Sequence, residues 1–246
     1  MRIIIHTLQR LDGILLSPFQ IGLKANKLLR SAESSIDCWK CFRFSIAFFF
    51  GICSSAYPQE RPGLFFREDW KEIPAAKPVT QEHISNPDLL VSRYGPGEVG
   101  IKKSHHDRPA DDPWYIWSGE APGNWAITLR HQRAWVDLTG LAKVRWRSKQ
   151  DGFRQLRLIV KLANGRWLVS DEFDGPSSDW RIHEFNVADL HWRRLDIQQI
   201  VEGPWESSPD LGKIDEVGWT DLMTGGGSAA CSRVDWIEVY GKAVPR

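Results

Sequence analysis

The chain has 246 residues, of which 42% are hydrophobic and 26% are charged, and its 32 basic and 31 acidic residues give a net charge of +1. A chain so close to neutrality has no strongly basic surface, and we therefore exclude nucleic acid as a partner. Its 13 tryptophans are many for this length, so aromatic packing or aromatic ligand contacts must be prominent.

The first 56 residues have the character of a leader. Two basic residues precede an apolar run at 44–53, and the small residues 54–56 follow it. This order is the three-part pattern of a secretory signal peptide, and about ten apolar residues are too few to cross a hydrocarbon core of about 30 Å. We predict a signal peptide at about 38–56 and a secreted or periplasmic mature chain, with residues 1–37 either a long leader or an over-extended start.

Residues 57–246 are predicted to form a single domain, which is an ordinary length for one hydrophobic core. Loss of the seven basic and three acidic residues of the leader changes the net charge to −3. Only Cys231 remains of the four cysteines, so the domain has no internal disulfide and its core must hold it together. We read Cys231 as a small buried residue, and we expect no stable membrane span in this part of the chain.

The segment 65–124 predicts two strands and a long loop. The sequences LFFREDWKEIPA and PDLLVSRYG are strand-like, and a connection that contains proline joins them. The next stretch, PGEVGIKKSHHDRPADDP, is polar and contains several glycines and prolines, and we interpret it as one loop. Loops of this length within a compact domain are usually functional or mobile.

Strand signals dominate from Trp125 onwards. Apolar and basic residues alternate in AKVRWRS, and apolar alternation on both sides of Asn164–Gly165 is the strongest short signal for a hairpin. DWRIHEF, KIDEVGWT and RVDWIEVY predict three further strands, and only NVADLHWRRLDIQQIVEG allows a short helical turn. This spacing predicts an all-β fold, an antiparallel β-sandwich of the jelly-roll type, with less than about 15% helix.

Three phrases in the second half of the chain have a recognisable order. Residues 137–140 open a strand, 180–190 join a strand that contains tryptophan to a short turn, and 235–241 end a late strand. Over about 125–241 this order resembles galactose-binding-like jelly rolls, which include carbohydrate-binding modules and the complex I intermediate-associated family. A concanavalin-like sandwich is the competing fold. The resemblance implies a protein that meets sugars outside the cell, although a fold alone does not decide activity.

Aromatic residues that follow the long loop are candidates for ligand binding. Trp114, Tyr115 and Trp117 can present flat faces to the apolar faces of sugar rings while their polar edges stay wet. Burial in the core is the alternative, and it is the default for the tryptophans within strand patterns: Trp146, Trp167, Trp219 and Trp236. If these aromatic residues bind the ligand, alanine at position 114 or 117 weakens sugar binding by about 1–3 kcal/mol.

The loop and the later segment SDEFDGPSSD carry the polar candidates. The side chains that could act as acid, base or nucleophile are His105, His106, Asp107, Asp112, Glu172 and Asp174. Calcium prefers oxygen ligands, and the carboxylates that could contribute to a calcium site are Asp107, Asp111, Asp112, Asp171 and Asp174. The adjacent histidines would point to opposite faces of a strand, which disfavours a shared transition metal. No pattern requires a cofactor.

We therefore predict a secreted carbohydrate-binding β-sandwich domain, and we expect the loop at 105–117 to carry part of its site. Two alternatives stay open. One is a secreted glycoside hydrolase or lyase of the same fold class, and the other is a non-catalytic structural or protein-interaction module. Whether the protein is an enzyme stays undecided at this point, because the sequence does not place the carboxylates and histidines next to one another.

Overall fold

Two antiparallel sheets make up the part of the chain that the structure describes. The computed structural model describes residues 60–119, 121–223 and 230–246. Within these ranges there are fifteen strands and no α-helix, and helical geometry is limited to three 3₁₀ turns. The predicted antiparallel β-sandwich is therefore confirmed, whereas the predicted leader, residues 1–56, lies outside the described residues. None of the described helical turns is long or apolar enough to cross a membrane.

The strands are numbered in chain order. They are β1 (Leu64–Glu68), β2 (Leu89–Tyr94), β3 (Lys102–Ser104), β4 (Tyr115–Trp117), β5 (Trp125–His131), β6 (Ala134–Asp137), β7 (Lys143–Gln150), β8 (Leu156–Leu162), β9 (Trp167–Asp174), β10 (Arg181–Asn186), β11 (Trp192–Asp196), β12 (Val201–Glu206), β13 (Ile214–Asp221), β14 (Ser232–Tyr240) and β15 (Lys242–Pro245). The 3₁₀ turns are Gln81–His83, Glu98–Gly100 and Val187–Asp189.

Sheet A contains six strands, in the order β10-β7-β14-β4-β3, with β1 also paired to β14. Leu64 of β1 lies opposite Tyr240 at one end of β14, and Trp117 of β4 lies opposite Arg233 near the other end. One edge of β14 thus pairs with two short strands in succession. The loop between β3 and β4 therefore leaves the sheet near the middle of this edge, which is where the candidate site lies.

Sheet B has the order β12-β11-β9-β8-β13-β5-β2, and β6 pairs with both β13 and β15. Strands β8 and β9 are antiparallel neighbours and form the hairpin predicted from the Asn164–Gly165 pair. Gly165 has a φ of +85°, in the left-handed region that residues with a Cβ atom rarely adopt. The turn chemistry and the flanking alternation thus specify the same hairpin.

Side-chain alternation gives sheet A an inner and an outer face. In β7 the even-numbered residues from 144 to 150 are buried, and the odd-numbered residues from 143 to 149 are half-buried. On the inner face Trp146 packs against Phe185 and Trp219, with ring centroids 4.7 and 6.1 Å apart. This aromatic group belongs to the main core between the two sheets.

A second, smaller apolar cluster lies outside the main core, on the other face of sheet B. Its members are Ala126, Ile159, Trp167, Val169, Leu195, Ile197 and Ile200. The four tryptophans predicted to be core are all buried, but they do not share one core. Trp167 belongs to this second cluster, and Trp236 lies on the outer face of sheet A with the Arg67 guanidinium 4.5 Å from its ring centroid.

The segment predicted to be one long loop is partly regular. It contains the 3₁₀ turn Glu98–Gly100 and strand β3, so the loop is confined to residues 105–114. Pairing with β4 and two backbone hydrogen bonds between Lys103 and Ala76 hold β3 in the sheet. The prediction was wrong here because these partners are distant in sequence and the local residues are polar. The predicted helical turn is present as Val187–Asp189, directly before β11.

Candidate functional site

Two neighbouring cavities on the outer face of sheet A share Asp112 as a lining residue. The first has a volume of about 570 Å³, and its aromatic and charged lining residues are Arg67, Asp69, Trp70, Glu72, His105, Asp111, Asp112, Trp114, Arg147, Asp235 and Trp236. The second has a volume of about 240 Å³ and is lined by His106, Asp112, Tyr115, Lys149, Asp151, Trp180 and Arg233. We call the two together the sheet-A groove.

The two adjacent histidines of the loop line different cavities. His105 lines the first cavity and stacks on Trp114, with ring centroids 4.1 Å apart and planes inclined by 18°. His106 lines the second cavity. The two side chains thus diverge, as their adjacent positions in the sequence predict.

A hydrogen-bonded group fixes the orientation of His106. Its backbone N–H donates to Oδ2 of Asp112 at 2.9 Å, and its Nδ1 lies 2.9 Å from the same oxygen and 2.9 Å from the Tyr115 hydroxyl. An ionised carboxylate can only accept, so Nδ1 must carry a proton. Nε2 is then the ring nitrogen that can meet a ligand, and the His106 side chain is 60% exposed.

The three aromatic candidates have different surroundings. Trp114 is half-buried and lines the first cavity, whereas Tyr115 is buried and lines the second. Burial raises the pKa of Tyr115, so its hydroxyl stays protonated and can donate. Trp117 lines neither cavity, and the backbone of Gly119 lies so close to its ring that a Cβ at 119 would be 2.4 Å from it. Trp117 thus lies apart from both cavities of the groove and is half-buried.

Trp180 is the tryptophan that lines the second cavity of the groove. Its ring centroid lies 5.5 Å from that of Tyr115, and the guanidinium of Arg147 lies 5.3 Å from it. Arg147 in turn donates to Oδ2 of Asp235 at 2.7 Å, and burial raises the pKa of Asp235 while Arg147 opposes that rise. The half-buried ring of Trp180 thus lies next to an arginine whose position is fixed by a carboxylate.

Two further ion pairs border the groove. Arg233 and Asp151 pair at 2.7 Å in the second cavity, and Arg67 and Asp69 pair at 2.5 Å in the first. Because each arginine of the groove has a carboxylate partner, the groove presents donors and acceptors without a large excess of either charge. The second cavity contains a further cation, Lys149, beside the pair of Arg233 and Asp151.

Lys103 supports Trp114 from the interior. The side chain is fully buried, its Nζ donates to the carbonyl of Ile73, and Nζ lies 3.6 Å from the centroid of the Trp114 ring. Burial lowers the pKa of Lys103 from 10.5 to about 8, and Glu72 opposes that change. A charged Lys103 beside the Trp114 ring therefore costs free energy, because desolvation disfavours the charged form.

We expect the stability of the protein relative to Lys103→Met to rise between pH 8 and pH 10. In this interval the unfolded chain, with a lysine pKa near 10.5, binds more protons than the folded chain, whose Lys103 pKa is about 8. The free energy of unfolding of the wild type should therefore gain about 2 kcal/mol over the variant by pH 10. Urea unfolding of both proteins from pH 7 to pH 10 measures this, and parallel pH profiles would contradict it.

The other polar candidates lie apart from the groove. Asp174 is fully buried and accepts hydrogen bonds from Nε1 of Trp146 at 2.9 Å, from the Ser148 hydroxyl and from Arg181 at 2.5 Å. Glu172 contacts His183 at 3.4 Å. The structure thus separates these two carboxylates from the loop at 105–114, and the oxygens of Asp174 are already used.

The calcium candidates are likewise dispersed. Asp111 and Asp112 line the groove, Asp107 is exposed and lines neither cavity, and Asp171 pairs with the His191 ring at 3.1 Å. Among residues 60–119, 121–223 and 230–246, no three histidine, cysteine or acidic side chains form a group that could hold a metal ion. Cys231 is buried, as predicted, and burial raises the pKa of its thiol.

Comparisons with known proteins give structural neighbours only. No protein-family model and no curated protein matches the chain. The family 11 carbohydrate-binding module of the cellulosomal cellulase Lic26A-Cel5E of Clostridium thermocellum is similar over 74% of this chain and 97% of its own, with 15% identity and a TM-score of 0.42. The same family's module in complex with a beta-1,3-1,4-mixed-linked tetrasaccharide has 18% identity and a TM-score of 0.39, over 70% of this chain and 98% of its own.

An exo-beta-agarase is also similar, with 10% identity and a TM-score of 0.35, over 65% of this chain and 24% of its own. The carbohydrate-binding modules that the sequence phrases resemble thus recur among the solved structures. At these TM-scores the neighbours locate no site on this chain.

Sequence reasoning missed several residues of the groove, above all Trp180, Arg147 and Asp235. A signal for Arg147 was present, because alternation in AKVRWRS places the basic residues on one face of β7. Trp180 directly precedes β10 and so lies in a loop at the end of a strand. Binding residues are often found in such loops. No local signal could show that these residues meet the loop, since they come from separate strands of sheet A.

Proposed function

We propose that this protein is an exported carbohydrate-binding domain and that the sheet-A groove is its binding site. The observation that carries the proposal is the position of Trp180, a half-buried ring between Tyr115 and Arg147 in an open groove. A pyranose ring has an apolar face of C–H groups and an edge of hydroxyls. Such a ring needs an aromatic plane and fixed polar groups beside it, and the groove offers both.

The polar groups of the groove suit sugar hydroxyls. Carboxylates such as Asp112 and Asp235 accept two hydrogen bonds, and a guanidinium such as that of Arg147 donates in a fixed fork, so each can engage neighbouring hydroxyls. Because the groove's arginines are paired with carboxylates, an uncharged saccharide suits it better than an anionic one. The proposal requires no cofactor, and export rests on the predicted signal peptide alone.

Trp180→Ala is expected to weaken saccharide binding about tenfold or more, because it removes the aromatic plane of the groove. The loss corresponds to about 1–3 kcal/mol, the scale of one well-buried aromatic contact. Calorimetric titration with a panel of neutral tetrasaccharides (cello-, laminari-, manno-, xylo- and agaro-series) measures it. Trp135→Ala is the matched control, since Trp135 also has cations near its ring, Lys213 at 5.3 Å and Arg246 at 5.5 Å, but lines neither cavity of the groove.

The same panel separates the alternatives. Thermal melts of both variants show whether either substitution damages the fold. Release of reducing ends by the wild type, lost in Asp112→Asn, would favour a glycoside hydrolase or lyase over a binding module. Equal affinity of Trp180→Ala and wild type would remove the groove from the proposal, and no binding by the wild type to any saccharide would favour a structural or interaction module.

A further inference from the structure

A further cavity, larger than either cavity of the groove, lies at the other end of sheet A. This cleft has a volume of about 740 Å³, and its walls come from residues 138–140, 187–192 and 205–211. The groove reaches Lys149 near the end of β7, whereas the cleft includes Gly140 before that strand begins. Because Arg147 and Lys149 of the groove both lie in the second half of β7, the two cavities are near opposite ends of this strand.

An exposed tryptophan forms one wall of the cleft. Trp205 lies on β12, an edge strand of sheet B, and 56% of its surface is exposed. The guanidinium of Arg193 lies 4.2 Å from its ring centroid and donates to the carbonyl of Gly203 at 3.3 Å. The ring is therefore held in place from one side without being buried, which is an unusual state for so large an apolar side chain.

The rest of the cleft combines apolar walls with a polar rim. Leu138 and Leu211 contribute apolar surface, and Thr139, Ser207 and Ser208 contribute hydroxyls. Trp192 also lines the cleft, is 2% exposed, and its Nε1 has no hydrogen-bond partner among the described residues. A buried N–H without an acceptor is rare in folded proteins, and this one belongs to a tryptophan that the cleft shares with the main core.

We propose that the cleft is a second saccharide-binding site, with Trp205 as the platform for one pyranose ring. A flat aromatic ring open to solvent, next to hydroxyl groups, suits a ligand with an apolar face and polar edges better than it suits a purely apolar ligand. The ligand class rests on the proposed function, but the site does not share a residue with the groove. Two sites near opposite ends of one strand would bind a long glycan bivalently, with a gain from effective concentration.

The indole N–H signals of the tryptophans in a two-dimensional ¹⁵N–¹H spectrum test this site directly. Trp205 and Trp180 report on the cleft and the groove, and Trp205→Phe and Trp180→Phe assign the two signals. In titration with the tetrasaccharide panel, we expect the Trp205 signal to shift and to saturate. The Trp135 signal should stay fixed, because this ring lines neither cavity of the groove nor the cleft.

Variants then separate the two proposals. In Trp205→Ala the calorimetric stoichiometry should fall from two saccharides per chain to one, while the Trp180 signal titrates as in the wild type. A Trp205 signal that stays fixed while the Trp180 signal moves would overturn the second site and leave the groove. Movement of Trp205 alone would support the cleft and remove the groove, and fixed signals for both would end both proposals.

Discussion

Asp174→Ala is expected to lower the free energy of unfolding by about 3–5 kcal/mol, the usual loss when one partner of a buried charged network is removed. Asp174 is fully buried between the two sheets, where it accepts from Trp146, Ser148 and Arg181. Alanine at this position leaves three donors without an acceptor. A buried polar group without a hydrogen-bond partner costs more free energy than a typical hydrogen bond contributes. Urea unfolding followed by tryptophan fluorescence measures the loss.

A matched control for this substitution lies on the same strand. The Asp171 side chain is 35% exposed and pairs with the exposed His191, so Asp171→Ala should cost no more than about 1 kcal/mol. If Asp174 stabilises the packing of the two sheets and binds no calcium, chelation by EDTA should leave the wild-type unfolding midpoint unchanged. Equal midpoints for Asp174→Ala and Asp171→Ala, or a midpoint that EDTA lowers, would contradict this structural role.

The strands of the second half of the chain could be predicted because their period is local. In β7 the alternation of apolar and basic residues is the alternation of inner and outer faces, and around Gly165 the turn residue and both flanks agree. Packing follows from such a pattern without knowledge of the partner strand. The fold class therefore followed from the sequence alone.

The groove could be predicted only in part, because it depends on which strands are neighbours. The loop at 105–114 was found from its composition, but its neighbours Arg67, Arg147 and Trp180 come from or next to three other strands. For Asp174 the local sequence was misleading in a different way, because it suggests an exposed side chain and the side chain is buried. In sequence it lies close to Asp171 and Glu172 and directly precedes the turn-like GPSSD, which is typical of a solvated carboxylate, yet its side chain accepts a hydrogen bond from Trp146 in the opposite sheet.

The other large effect concerns Glu68, which ties the end of β1 to the wall of the groove. This fully buried carboxylate accepts three backbone N–H groups: Trp70 at 2.9 Å and Ser85 at 2.7 Å on Oε1, and Asn86 at 3.0 Å on Oε2. Burial raises the pKa of Glu68, and the three hydrogen bonds oppose that rise. Trp70, whose φ of +59° lies in the left-handed region, is held by one of these bonds and lines the first cavity.

Glu68→Ala is therefore expected to cost about 3 kcal/mol or more of unfolding free energy, because three buried N–H groups lose their acceptor at about 1–3 kcal/mol each before relaxation. Glu68→Gln keeps one acceptor oxygen and should lose about half as much. Glu72→Gln is the control, since Glu72 is an exposed carboxylate of the same segment. If Glu68→Ala unfolds at the same urea concentration as Glu72→Gln, water replaces the carboxylate and the wall of the groove does not depend on it. If the loss of stability is largest for alanine, smaller for glutamine and smallest for the control, the Glu68 carboxylate holds Trp70 and residues 85–86 together at the end of β1.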